Sequence, residues 1–422
     1  MKKNLKILLV VFLLLILYMY VLVIQNIPDK IILFEGENLN IKTLLGMKLK
    51  NENNETIEAS TNNQRKINEK NKYNDSSINK TAGKTSVEVS LFDNIPLKKV
   101  EVDVLPKTRV IPVGDVAGVK LYTNGVLVVG MSEIEGKDNK KYKPYENTGI
   151  KEGDTIIKID NKQINTTKDL IETVNYSKGN NIEVKYIHET ETKECSMTPV
   201  KIKDDEYKIG LWVRDSAAGV GTVSFYEPKS KSFGALGHGI TDIDTNELIN
   251  IASGEFVTTR ILNITKGESG TPGKLQGTID NQKNIGKIFK NTKFGIYGKV
   301  DNISSLNLDK YKEMEVALRD EIKEGKATIL CSLDNQKPQE YEIEIEKIYK
   351  ENNYNNKSMK IKVTDKRLLE KTGGIIQGMS GSPIIQNGKF IGAVTCVLIK
   401  NPEEGYGVFG DIMIKQLNNS IN

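Results

Sequence analysis

From residue 91 onward the chain is written in short apolar runs that break at Gly, Asn or Asp, and few stretches carry the periodicity of a long helix. Runs of that length, bounded by turn formers, read as strands. Residues 295–300, 341–348, 359–363 and 390–397 alternate or run apolar over strand lengths. Roughly 200 residues of such strands suit a double β-barrel or a sandwich. The expected class is therefore mainly β, with short helices at 169–174 and 366–371. A length of 422 residues is too great for one ordinary domain.

Charge and composition remove several functions. Sixty basic against 55 acidic side chains leave +5, too dilute for a nucleic-acid footprint, and no basic run concentrates it. Three scattered cysteines, Cys195, Cys331 and Cys396, and two histidines, His188 and His238, cannot supply the closely spaced ligands of a structural zinc site. No metal or cofactor is expected, and no disulfide framework.

Residues 7–24 are 18 consecutive apolar residues behind Lys2, Lys3 and Lys6, about the minimum that spans a hydrocarbon core of ~30 Å. No Ala, Gly or Ser lies between Met1 and Gly36, so a signal-peptidase site is missing and an uncleaved anchor is expected over 1–28. The lysines place its N-terminus in the cytoplasm and the rest of the chain across the membrane. Only 8 of the 40 residues in 51–90 are apolar. Such a segment cannot offset its ordering entropy, and 29–90 is expected to be a juxtamembrane segment and flexible tether.

The next stretch has a recognisable order. Residues 117–121 and 125–129 read as strands joined by a turn at Asn124-Gly125, followed by the G-I-K-E-G-D-T-I-I-K-I-D run at 149–160, the helix at 169–174 and a strand at 182–187. Gly153-Asp154 makes a turn that sends Ile156 and Ile159 into a core. This order resembles a PDZ domain, expected over 91–200, in which an extended peptide adds to a sheet edge. The resemblance puts the peptide against Gly118, Val119, Lys120 and Leu121, with Leu170 and Val174 on the facing helix. His188 closes a strand and reads as a surface residue.

Chemistry concentrates in 201–422. Gly378-Met379-Ser380-Gly381-Ser382-Pro383 places a serine in a glycine turn that can expose its hydroxyl and aim backbone N–H groups at one point, the makings of an oxyanion hole from Gly378 and Ser380. Asn387-Gly388 after two isoleucines makes the following strands a hairpin. A serine needs a base, and His238, flanked by Gly237 and Gly239, is the leading candidate. Gly267-Glu268-Ser269-Gly270-Thr271-Pro272 also matches G-x-S-G-x-P, but no apolar hairpin follows it and too few residues separate it from His238 to hold a second barrel. Ser380 is preferred.

The glycine turn resembles the nucleophile turn of chymotrypsin-type serine proteases. More closely, F-G-A-L-G-H-G-I-T-D-I-D, the block T-G-G-I-I-Q-G-M-S-G-S-P-I-I-Q-N-G-K-F-I-G-A-V-T, and an anchor followed by a PDZ domain together resemble the stage IV sporulation protein B peptidases of endospore-forming bacteria. The resemblance implies a chymotrypsin-like double β-barrel peptidase, anchored in the forespore membrane with its catalytic domain between the two membranes. Such enzymes cut themselves and then a membrane-bound regulator of an intramembrane protease that activates the late mother-cell sigma factor. Carried over, His238 is the base, Ser380 the nucleophile and Asp365 the third member. Asp365 reads equally as the N-cap of the 366–371 helix, and Asp242 and Asp244 are rivals beside His238. Met379 stands where digestive enzymes carry an activating aspartate. A non-catalytic membrane-tethered PDZ scaffold and a general extracytoplasmic quality-control protease are the alternatives; in the latter the PDZ domain normally follows the protease domain.

Overall fold

The computed structural model describes residues 2–35, 47–50, 56–57, 83–91, 95–306, 308, 312–335, 337–350 and 356–418. The chain divides into two compact units, 1–108 and 109–422.

The first unit opens with the helix Lys2–Asn26, whose span Ile7–Asn26 has a mean hydropathy of 3.3, lies unburied, and is long and apolar enough to cross a membrane. A five-stranded sheet follows, in the order Lys30–Phe34, Ile95–Leu105, Gly83–Leu91, Met47–Lys50, Thr56–Ile57. Strands thus stand inside the stretch expected to be a tether, of which 51–55 and 58–82 lie outside the described residues. Alternation explains the difference. Val87 and Val89 face one way from a strand whose neighbour presents Val100, Val102 and Val104, and all five are buried with Ile27 and Leu33. Averaging polarity over 40 residues hides a nine-residue amphipathic strand.

In the second unit six strands close a first barrel: Val116–Met131, Ile251–Thr265, Lys274–Thr292, Gly295–Val300, Ser232–Ala235 and Leu211–Glu227, the last pairing back to the first. Inside it Phe233 stacks on Phe256 with ring centroids 4.5 Å apart, among Val119, Leu121, Val223 and Ile296. A second closed barrel follows, Gly325–Cys331, Gln339–Ile348, Met359–Val363, Asn401–Phe409, Lys389–Leu398 and Pro383–Gln386. Its strands alternate as closure requires, with Tyr341, Ile343 and Ile345 inward and Glu342 and Glu344 outward. Asn387 and Gly388 both adopt positive φ, 52° and 74°, and make the hairpin expected from Asn-Gly.

The PDZ domain is inserted into the first barrel. Val116–Met131 is one 16-residue strand where the sequence predicts a hairpin. Gly125 bends it at φ 108°, and a Cβ there would lie 2.4 Å from the Ile156 carbonyl oxygen, so glycine serves close approach rather than reversal. Residues 116–123 build the barrel; 126–131 enter the PDZ sheet with Thr155–Ile159, Ile182–His188 and Glu191–Met197. The helix Thr167–Tyr176, closed by a Thr166/Asp169 capping box, covers a core of Val126, Val128, Ile156, Ile159, Leu170, Val174 and Val184. The chain returns to the barrel through Leu211–Glu227.

Two outcomes follow from this connectivity. A chain beginning at residue 201 lacks the strand that closes the first barrel and is expected to give the circular dichroism and NMR dispersion of an unfolded or aggregated protein, whereas 109–422 folds. In the second barrel Asp365 caps the helix Lys366–Thr372, accepting from the Arg367 N–H at 2.9 Å. Asp365→Ala is expected to lower stability by about 1 kcal/mol or more and Asp365→Asn, a good cap, by less, as read from denaturant midpoints.

Candidate active site

Ser380 stands in a turn whose every peptide plane is held. The Gln377 carbonyl accepts from the Leu275 N–H at 2.8 Å, and the Met379 carbonyl accepts from the Ser382 N–H at 2.9 Å. Because a trans peptide is planar, fixing those two oxygens turns the Gly378 and Ser380 N–H groups the opposite way. Gly378 and Ser380 both line one cavity. Gly378 has φ 101°, and Gly381 has φ 98° with its Cα so near Thr222 that a Cβ would fall 2.0 Å from that residue's carbonyl oxygen. Thr222 completes the clamp, its N–H donating to the Ser380 carbonyl (2.9 Å) and its hydroxyl to the Gly378 carbonyl (2.8 Å). The Met379 side chain is fully buried, so it offers no counter-ion for a freed N-terminus.

His238 follows the strand Ser232–Ala235 through Leu236 and Gly237, both at φ 68°. For a buried leucine that conformation costs about 1–2 kcal/mol. It persists because the Leu236 N–H is tied to the Thr222 carbonyl at 3.2 Å, and it turns the imidazole into the cavity. The His238 Nδ1 lies 2.8 Å from the Gly239 carbonyl. A carbonyl can only accept, so Nδ1 carries the proton and Nε2 is the basic nitrogen. Burial holds the imidazole below its usual pKa, with the bond to Gly239 opposing.

His238, Ser380 and Gly378 line one cavity of about 250 Å³ whose remaining wall is mostly apolar, with Val119, Val220, Leu236 and Ile240. The Ser380 and His238 side chains are each satisfied by a local backbone acceptor. The Ser380 Oγ donates to the Thr395 carbonyl at 2.7 Å, and the His238 ring is bonded to its own neighbour. Ser269 stands elsewhere, on an exposed turn where its hydroxyl donates to the Lys400 carbonyl.

Other expectations are corrected. Asp365 does not line the cavity; its carboxylate accepts from the Arg367 guanidinium and from the Glu342 and Arg367 N–H groups, and Arg367 holds its pKa down at about 2. Asp242 and Asp244 are taken by Arg214. In this conformation a carbonyl, not a carboxylate, orients His238. Gly118, Val119, Lys120 and Leu121 offer no edge for a peptide, because they pair with 217–220 on one side and with 254–257 on the other. Leu170 and Val174 are buried in the PDZ core. His188 is bonded through Nδ1 to Asp154 at 2.7 Å. Thr222, Leu236 and Thr395 went unread because nothing in strand-like sequence marks which backbone groups will meet a distant turn. Among the described residues no group of three or more His, Cys, Asp or Glu could hold a metal ion.

Residues 205–414 match the family described as SpoIVB peptidase S55, and 119–198 match the PDZ domain family. Among solved structures, the PDZ domain of an SdrC-like protein from Listeria monocytogenes is similar at 20% identity, covering 21% of this chain and 87% of that one, with a TM-score of 0.17. The protease Rv3671c in an inactive form is similar at 13% identity over 48% of this chain and 84% of that one, TM-score 0.27. The HtrA-type protease AlgW with a decapeptide is similar at 12% identity over 56% and 55%, TM-score 0.29. A glycine-turn serine and a buried histidine on one cavity, with both family matches, make the chain a SpoIVB-like, PDZ-containing serine endopeptidase.

Proposed function

We propose that this endopeptidase is a membrane-anchored signalling enzyme that cleaves itself and then a membrane-bound regulator of an intramembrane protease during sporulation. Its N-terminal helix would hold it in the forespore membrane, with the catalytic unit in the space between the two membranes. The observation that carries the catalytic part is the convergence of the Ser380 hydroxyl, the His238 ring and two oriented N–H groups on one cavity. The sporulation role draws on the family description of the matched peptidase and on a helix long enough to span a membrane.

Rotation of the Ser380 side chain off the Thr395 carbonyl brings Oγ toward His238 Nε2. Nε2 takes the proton as Oγ attacks a peptide carbonyl. The Gly378 and Ser380 N–H groups hold the oxyanion, His238 returns the proton to the leaving amine, and water hydrolyses the acyl-enzyme. The rotation exchanges one hydrogen bond for another, a net change on the order of 1 kcal/mol.

Expressed from residue 26, the native chain and Ser269→Ala are expected to yield fragments over time by mass spectrometry, while Ser380→Ala and His238→Ala, folded by circular dichroism, yield none. Fragments from folded Ser380→Ala would discard the assignment. The pH profile gives a second check. His238 acts neutral and burial lowers its pKa, so activity is lost only as pH falls through a value below the ordinary ~6.5 of imidazole. An acidic limb of kcat/KM above that value would contradict the base.

A further inference from the structure

His238 owes its tautomer to the Gly239 carbonyl, and that carbonyl is itself held from a distance. The Gly239 C=O and the Ile240 N–H belong to one planar trans peptide and point opposite ways. On one side the carbonyl accepts from the His238 Nδ1 at 2.8 Å. On the other the Ile240 N–H donates to the Asn291 Oδ1 at 2.9 Å. Imidazole, peptide and side-chain amide therefore form one chain of hydrogen bonds, Nδ1–H to O=C and then N–H to Oδ1, in which each bond polarises the next.

Asn291 is fixed at its other end. Its Nδ2 donates to the Ile240 carbonyl at 2.8 Å and to the Ile249 carbonyl at 2.9 Å. A carboxamide has one acceptor oxygen and two donor hydrogens, and here an N–H faces the oxygen while two carbonyls face the nitrogen. The reversed amide would set donor against donor and acceptor against acceptor, so the network determines which way Asn291 points. The Ile249 N–H also donates to the Ile240 carbonyl at 3.1 Å, and Asn291 thus ties both strands at the neck of the loop that follows His238. Its backbone stands near the end of Lys274–Thr292, opposite Ile296, a residue of the first barrel's core. Thr292 accounts for Gly239: a Cβ there would fall 2.6 Å from the Thr292 carbonyl oxygen, so glycine lets this peptide lie against the strand.

We propose that Asn291 is a positioning residue for His238. By holding the Gly239–Ile240 peptide it keeps the proton on Nδ1 and the lone pair on Nε2, the task a carboxylate performs in a serine–histidine–aspartate triad. A carbonyl carries no full charge, so it orients the ring while stabilising the imidazolium less than a carboxylate would. Without Asn291 the peptide is free to turn, and the ring loses its acceptor and its orientation together. This rests on the reading of Ser380 as nucleophile and His238 as base.

The chain has two histidines, so long-range nitrogen–proton correlation spectra of the full chain, isotope-labelled in histidine, show two rings, and His188→Gln leaves His238 alone. The native neutral ring is expected in the Nδ1–H tautomer. In Asn291→Ala, folded by circular dichroism, the spectrum is expected to move toward the Nε2–H tautomer. A fluorophosphonate, which needs no substrate, is expected to label Ser380 in that variant about ten- to a hundredfold more slowly than in the native chain. Asn291→Asp keeps an oxygen for the Ile240 N–H and loses both donors; it is expected to retain the Nδ1–H tautomer and to label at a rate closer to native than to Asn291→Ala. A residue that merely stapled the loop would fail alike in both variants. An Nε2–H tautomer in the native chain, a native spectrum and labelling rate in Asn291→Ala, or Asn291→Asp matching a defective Asn291→Ala would each overturn the proposal. Should Asn291→Ala not fold, the native tautomer and Asn291→Asp decide it. Labelling that persists in Ser380→Ala would instead overturn the peptidase reading on which it stands, a result the tautomer spectra do not share.

Discussion

A strand edge cannot be left unpaired in a buried setting, and the strand Leu211–Glu227 meets that demand with a different partner on each part of its length. Residues 211–214 pair with the PDZ edge, 216–222 with the barrel part of the same long strand, and 223–227 with Ser232–Ala235. Near the change of partner the Thr222 N–H turns to the Ser380 carbonyl. The PDZ fold, the closure of the first barrel and the seat of Ser380 therefore share one run of backbone hydrogen bonds. Moving any one of them requires the others to find new partners.

Positive-φ residues set the geometry of the Ser380 and His238 turns around that strand. Gly378 and Gly381 carry the serine turn, and Leu236 and Gly237 carry the approach to His238. Glycine accepts such angles freely; Leu236 does not, and its strain is sustained by burial and by the Thr222 carbonyl. The Gly378 and Ser380 N–H groups are thus held in place by backbone alone, and under the proposed mechanism donors fixed in this way are the ones that stabilise developing charge most. The side chains, by contrast, are satisfied locally. A half-buried serine hydroxyl and an imidazole N–H each need an acceptor, and the Thr395 and Gly239 carbonyls supply it. Rigid backbone with parked side chains is an arrangement that can wait.

Local patterns were legible wherever chemistry is local. The glycine turn around Ser380, the Asn-Gly hairpin behind it, the Gly153-Asp154 turn and the burial of Ile156 and Ile159 all follow from residue types at fixed short spacings. What could not be read is connectivity. Asn124-Gly125 carries the signature of a reversal, yet the strand runs through it because Gly125 is needed for close approach to Ile156. That single misreading moves the PDZ groove, since it turns 118–121 from a peptide-binding edge into a doubly paired barrel strand. The barrel's start is displaced for the same reason: its first strand lies ahead of the inserted domain, and periodicity says which residues are buried but not in which core.

The acidic residues show the same division between local and distant chemistry. Asp365 followed by Lys-Arg-Leu-Leu is a helix cap by nearest-neighbour rules, and the structure gives it that role. Asp242 and Asp244 lie closest to His238 in the chain and would be free to serve it if sequence proximity decided. They are claimed by Arg214, a residue 28 and 30 positions earlier on the strand that pairs with the PDZ sheet. A near-fully buried carboxylate such as Asp242 cannot give up a guanidinium without a replacement partner. The pairing of residues 211–214 with the PDZ edge and the charge balance of the loop after His238 are therefore tied together through Arg214.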